Sequence, residues 1–145
     1  MLPAYYDGMY LPPGDYLATW QDVVQRFSGN EKRQGFCTRL KAILDQAKIC
    51  GFVKVYLFGS FISAKDDPGD VDLLWVYAEN LDTESLSQGC KDLLDYVKMK
   101  EQEEWDMWCC ANNDFNINYL MRGWRTDRPP ESKPRGVIII ELATL

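Results

Sequence analysis

Apolar positions along the chain alternate between helical and strand spacing, and the switches mark the elements. Trp20, Val23, Val24 and Phe27 recur every three or four residues after Thr19, which predicts a helix capped by Thr19 and stopping near Gly29. A second helix starts at the cap Asn30, carries Phe36, Leu40, Ile43, Leu44 and Ala47 inward, and ends with Gly51 at its C′ position. Two β-prone runs follow, Phe52–Phe58 and Val71–Tyr77. The second is almost unbroken in apolar character after Asp72, which suits a central strand covered on both faces. A third helix is expected from Asp82 or Thr83, with Leu86, Cys90, Leu93, Leu94 and Val97 inward. Trp105–Cys110 reads as a third strand, Asp114–Met121 as a short helix and Val137–Leu142 as a last strand. Residues 1–16 have no period; rich in Pro, Gly and Tyr, they read as an extended lead-in packed through Tyr5, Tyr6, Tyr10 and Leu11. The order predicts one α/β domain over 1–145, a sheet with helices on one face or both.

The chemistry concentrates between the first two strands. The first ends in Gly59-Ser60; after a polar loop, the second opens on Asp70-Val71-Asp72. Residues two apart on a strand share a face, so Asp70 and Asp72 point at one spot. Two such carboxylates repel unless a cation sits between them, and paired oxygen ligands suit Mg²⁺.

Gly59-Ser60, nine intervening residues and Asp70-x-Asp72 with apolar flanks resemble the signature of the nucleotidyltransferase superfamily related to DNA polymerase β. Beyond that signature, the chain also resembles a bacterial family of small nucleotidyltransferase-like proteins. That likeness includes Leu11-Pro12-Pro13-Gly14, Ala18-Thr19-Trp20, Phe61, Lys65, Thr126-Asp127-Arg128 and Lys133-Pro134-Arg135-Gly136-Val137. It implies the nucleotidyltransferase fold, a mixed sheet of four or five strands flanked by helices. It also implies two Mg²⁺ or Mn²⁺ ions held by Asp70, Asp72 and a third carboxylate on a neighbouring strand. Asp106, flanked by apolar residues on both sides, is the expected third ligand, and Asp114 the alternative. Gly59 and Ser60 would receive the triphosphate, with Lys65 or a cation of the Arg125–Arg135 loop neutralising charge. The nearest positions after Ser60, where many superfamily members are basic, are Phe61 and Ile62 here.

Composition trims the alternatives. A chain without histidine cannot run Ser-His-Asp or Cys-His catalysis or the usual zinc hydrolysis, which leaves carboxylates and metal. A net charge of −6 argues against general duplex DNA binding, although Arg122–Arg135 carries five cations against two acids. No apolar run approaches a membrane span, and no signal peptide is seen, so a cytoplasmic location is expected. Five cysteines without a Cys-x-x-Cys pair then read as free thiols. What the resemblance implies is a Mg²⁺-dependent transfer of a nucleoside monophosphate from an NTP or dNTP to a hydroxyl. The acceptor would be a protein side chain, an RNA end or a nucleotide or oligonucleotide, in a toxin–antitoxin or anti-phage setting. A partner protein encoded nearby, an oligomer or the protein itself would supply that acceptor. The competing expectation is a silent binding module that keeps the fold and neutralises a partner by contact.

Overall fold

The computed structural model describes residues 2–145. Five strands form a single mixed sheet: β1 (Asp15–Leu17), β2 (Phe52–Phe58), β3 (Asp72–Tyr77), β4 (Asp106–Ala111) and β5 (Val137–Glu141). Their order is β1-β5-β2-β3-β4, with β1 parallel to β5, β3 parallel to β4, and β2 antiparallel to both its neighbours. The helices are α1 (Trp20–Phe27), α2 (Glu31–Ile49), α3 (Gln88–Leu93), α4 (Tyr96–Glu103) and α5 (Asp114–Met121).

Strand alternation explains why β2, apart from Lys54, and β3 after Asp72 are apolar. Val55, Leu57, Leu73 and Trp75 enter the larger core, under α1 and α2, while Tyr56, Phe58, Leu74 and Val76 enter a second cluster with Ile117 and Met121 of α5. Both faces are covered, so neither parity can be polar along the middle of these strands.

Local capping fixes the first two helices. Thr19 and Asp22 exchange hydrogen bonds in a capping box, and Asn30 Oδ1 accepts from the Arg33 N–H at 2.9 Å. The region after β3 departs from the single helix expected there. It breaks into a 3₁₀ turn (Thr83–Ser85), α3 and α4, because Ser87 and Asp95 each accept a backbone N–H and start a new helix. The change of direction turns Val97 outward, 62% exposed, and puts Met99 inside instead. The lead-in turns at 6–10, where the Tyr6 N–H donates to the Tyr10 carbonyl at 3.0 Å, and ends in β1, whose pairing with β5 ties it to the sheet.

The expectation of five free thiols is wrong. Cys50, capping α2, is disulfide-bonded to Cys90 in α3, with Cα atoms 5.6 Å apart. Forty residues separate them in sequence, and only the packing of α3 against α2 brings them together. Cys37, Cys109 and Cys110 are free. Among the described residues, no helix is long and apolar enough to cross a membrane.

Candidate metal and nucleotide site

The register of the sheet assembles the site. Asp72 opens β3 directly opposite Asp106, the first residue of the parallel neighbour β4. Parallel strands in register send both side chains to the same face, that of Leu74, Val76 and Cys110. Asp70 lies just before β3, in the loop rather than on the strand, yet its carboxylate converges with the other two. One carboxylate oxygen from each of Asp70, Asp72 and Asp106 lies within 4.8 Å of the others. Asp114, the alternative third ligand, is exposed in the first turn of α5 and outside this group.

Gly59 makes the close approach of the preceding turn feasible. Its φ of 81° and ψ of −161° fall in a region open essentially to glycine alone, and a Cβ there would meet Asp72 Oδ2 at 2.1 Å. The backbone between β2 and the 3₁₀ turn Ser60–Ile62 therefore passes directly over the carboxylate. Arg33 holds the far side of this turn, a role the sequence reading missed. Its guanidinium, 5% exposed, donates to the carbonyls of Phe61 at 2.6 Å, Ser63 at 2.8 Å and Lys65 at 2.6 Å, and to Phe27 at 3.2 Å. A charged group so deeply buried is satisfied only by hydrogen bonding, and here it uses that bonding to pin the loop.

Electrostatics within the triad are uneven. Burial pushes Asp72 up to about 7, and the charges of Asp70 and Asp106 add in the same direction. Asp70 is also raised, by burial first and then by Asp106. For Asp106, burial is outweighed by hydrogen bonds from Tyr96 and Lys100, which hold it below the usual carboxylate range. Tyr96 Oη donates to Asp106 Oδ1 at 2.5 Å and Lys100 Nζ lies 3.2 Å from the same oxygen. Both come from α4, packed against β4. Their spacing of four residues places them on one helical face, a signal readable in sequence only once α4 begins at Tyr96.

Two adjoining cavities meet at the carboxylates. The larger, about 610 Å³, is lined by Gly59, Ser60, Lys65, Asp70 and Tyr10. The smaller, about 430 Å³, is lined by Phe58, Tyr96, Trp108 and Trp124. Asp72, Asp106, Asp127, Arg128, Pro129 and Arg135 line both. Of the basic loop, Arg128 and Arg135 thus face the cleft, whereas Arg125 pairs with Asp15, Lys133 with Asp7, and Arg122 lies over the Tyr119 ring. Lys65 is exposed and lines the larger cavity.

A model described as a family of unknown function, DUF6932, matches residues 3–141. The chain belongs to that family. All three carboxylates, Gly59, Arg33 and Tyr96 fall within the matched span of this DUF6932 member. Comparison with curated proteins and with solved structures finds no match.

The donor set fits a hard divalent cation. It is all oxygen and carboxylate-rich, and Asp70 and Asp72 are raised by burial first and then by repulsion within the triad, both of which such a cation would offset.

Proposed function

We propose that this protein is a metal-dependent nucleotidyltransferase with the nucleotidyltransferase fold, moving a nucleoside monophosphate from a nucleoside triphosphate to a hydroxyl. The observation that carries this reading is the convergence of Asp70, Asp72 and Asp106 under a glycine turn that admits no side chain. Asp70, Asp72 and Asp106 would hold Mg²⁺ or Mn²⁺, two ions on the superfamily pattern. When bound, such ions supply charge neutralisation at the phosphates and acidify the attacking hydroxyl.

The chain's own groups divide the remaining work between the two cavities. In the larger, Gly59 lets the backbone come close to a phosphate, and the Ser60 hydroxyl is a further donor there. Lys65, Arg128 and Arg135 bring positive charge to the same space, where a leaving pyrophosphate would collect it. The smaller cavity, across the carboxylates, is left for the acceptor. A cavity of about 610 Å³ falls in the range of ligand sites, so one nucleotide can be held without a second domain.

The test has two arms. Calorimetric titration with Mg²⁺ and Mn²⁺ is expected to show binding to the native chain and loss of it in Asp72→Asn. Incubation with labelled ATP, dATP, GTP, CTP or UTP and either metal is expected to release pyrophosphate with at least one nucleotide. No metal binding and no release from any nucleotide would overturn the reading.

A further inference from the structure

We propose that Tyr96 is itself a nucleotidyl acceptor, so that the protein modifies its own chain at the wall of its cleft. The inference rests on the nucleotidyltransferase reading and names a substrate for it. Its basis is position. The Tyr96 hydroxyl already donates to Asp106 at 2.5 Å, so an unblocked nucleophile stands against the carboxylates where transfer would occur. Tyr96 also lines the smaller cavity, which meets the larger one at Asp72 and Asp106, so its oxygen stands at the junction of the two.

The phenol is aimed rather than loose. Tyr96 is the first residue of α4, anchored by the Asp95 cap, whose Oδ1 accepts from the Lys98 N–H at 3.1 Å. Its ring stacks on Trp108 at 4.4 Å between centroids, and Trp108 lies on β4 two residues from Asp106. Ring and hydroxyl are therefore held by the same strand. Of the other tyrosines, Tyr10 also lines the larger cavity, on the side of Gly59 and Ser60. Tyr6 and Tyr16 donate to the carbonyls of Pro134 and Pro12, Tyr56 is buried, and Tyr119 stacks with Phe115 on the exposed side of α5.

In the step itself, Tyr96 Oη forms a bond to the α-phosphorus of the triphosphate. The bond from that phosphorus to the oxygen bridging the β-phosphorus breaks, and pyrophosphate leaves with the electron pair. The phenolic proton passes along its hydrogen bond to Asp106 and on to water. Nothing is oxidised or reduced. The product carries a nucleoside monophosphate on Tyr96, beside Trp108 and Trp124, and fills the space an external acceptor would need. Self-modification is thus self-limiting.

The experiment uses the full chain with each labelled nucleoside triphosphate and Mg²⁺ or Mn²⁺, followed by intact mass measurement and peptide mapping. The expected result is a mass gain of one nucleoside monophosphate, plateauing at one label per chain, on the peptide that contains Tyr96. Tyr96→Phe is expected to melt like the native chain and to lose the label to background; Asp72→Asn is expected to lose the label as well. A residue that merely orients Asp106 would stay unmodified, so the map separates the two roles. Pyrophosphate release with no label on Tyr96, or label retained in Tyr96→Phe, overturns this inference and leaves the nucleotidyltransferase reading standing. No metal binding and no pyrophosphate release overturns both.

Discussion

Asp72→Asn should make the metal-free protein more stable while removing its metal site. In the folded chain, burial and the neighbouring acids raise Asp72 from 3.8 to about 7. Below pH 4 both folded and unfolded chains hold its proton, and the residue contributes no pH dependence. Between pH 4 and 7 the folded state binds more protons than the unfolded state, so stability falls as pH rises. Above pH 7 both states are ionised and the full penalty is in place. Each unit of displacement corresponds to about 1.36 kcal/mol, so a rise of about three units amounts to about 4 kcal/mol. Asparagine carries no charge and escapes that penalty. Urea unfolding with a chelator present, at pH 4, 6 and 8, should therefore show a gain near zero at pH 4, growing to about 4 kcal/mol at pH 8. Mg²⁺ at pH 8 should narrow the gap from the other side, stabilising the native chain by about 2.7 kcal/mol at a hundredfold excess over Kd and leaving the variant unchanged. A variant no more stable than the native chain at pH 8, or one whose gain is the same at pH 4, would refute the premise that this carboxylate is held ionised against burial and its acidic neighbours.

Other perturbations probe the supports of the site. Gly59→Ala forces a side chain into a glycine-only conformation and into Asp72 Oδ2; it should cost about 1–3 kcal/mol in chemical denaturation and abolish metal binding by calorimetry. Arg33→Met leaves the carbonyls of Phe61, Ser63 and Lys65 without their donor; a loss of about 3 kcal/mol or more is expected, with proteolysis appearing first in 60–70. Reducing the Cys50–Cys90 bond frees a loop spanning 40 residues, for which chain entropy predicts a loss of about 4 kcal/mol. Thermal melts with and without reductant should show it, and Cys90→Ser should melt independently of reductant.

Much of this molecule could be read before its packing was known. Thr19 and Asn30 announced their helices because capping is local chemistry, decided by a side chain and a backbone N–H three residues away. The apolar run of β3 after Asp72 disclosed a central strand covered on both sides, since burial there leaves no position for a polar residue. Asp70 and Asp72 stood out for the converse reason, as charges at the mouth of such a strand. Asp106 was legible as a charge between two buried neighbours, but its place opposite Asp72 depends on the pairing of β3 with β4, which no local pattern encodes.

What tertiary structure alone decided shares one physical feature: partners that lie on different elements. Arg33 acquires its role only because the loop after Gly59 folds over it and offers three carbonyls, with that of Phe27 at the end of α1 a fourth. Cys50 and Cys90 meet because α3 packs on α2, and Tyr96 reaches Asp106 because the expected single helix breaks at Asp95. Periodicity reports how a segment faces water and core. It carries no information on which distant segment fills the space beside it, and that is where the carboxylates acquired their phenol, their lysine and their glycine roof.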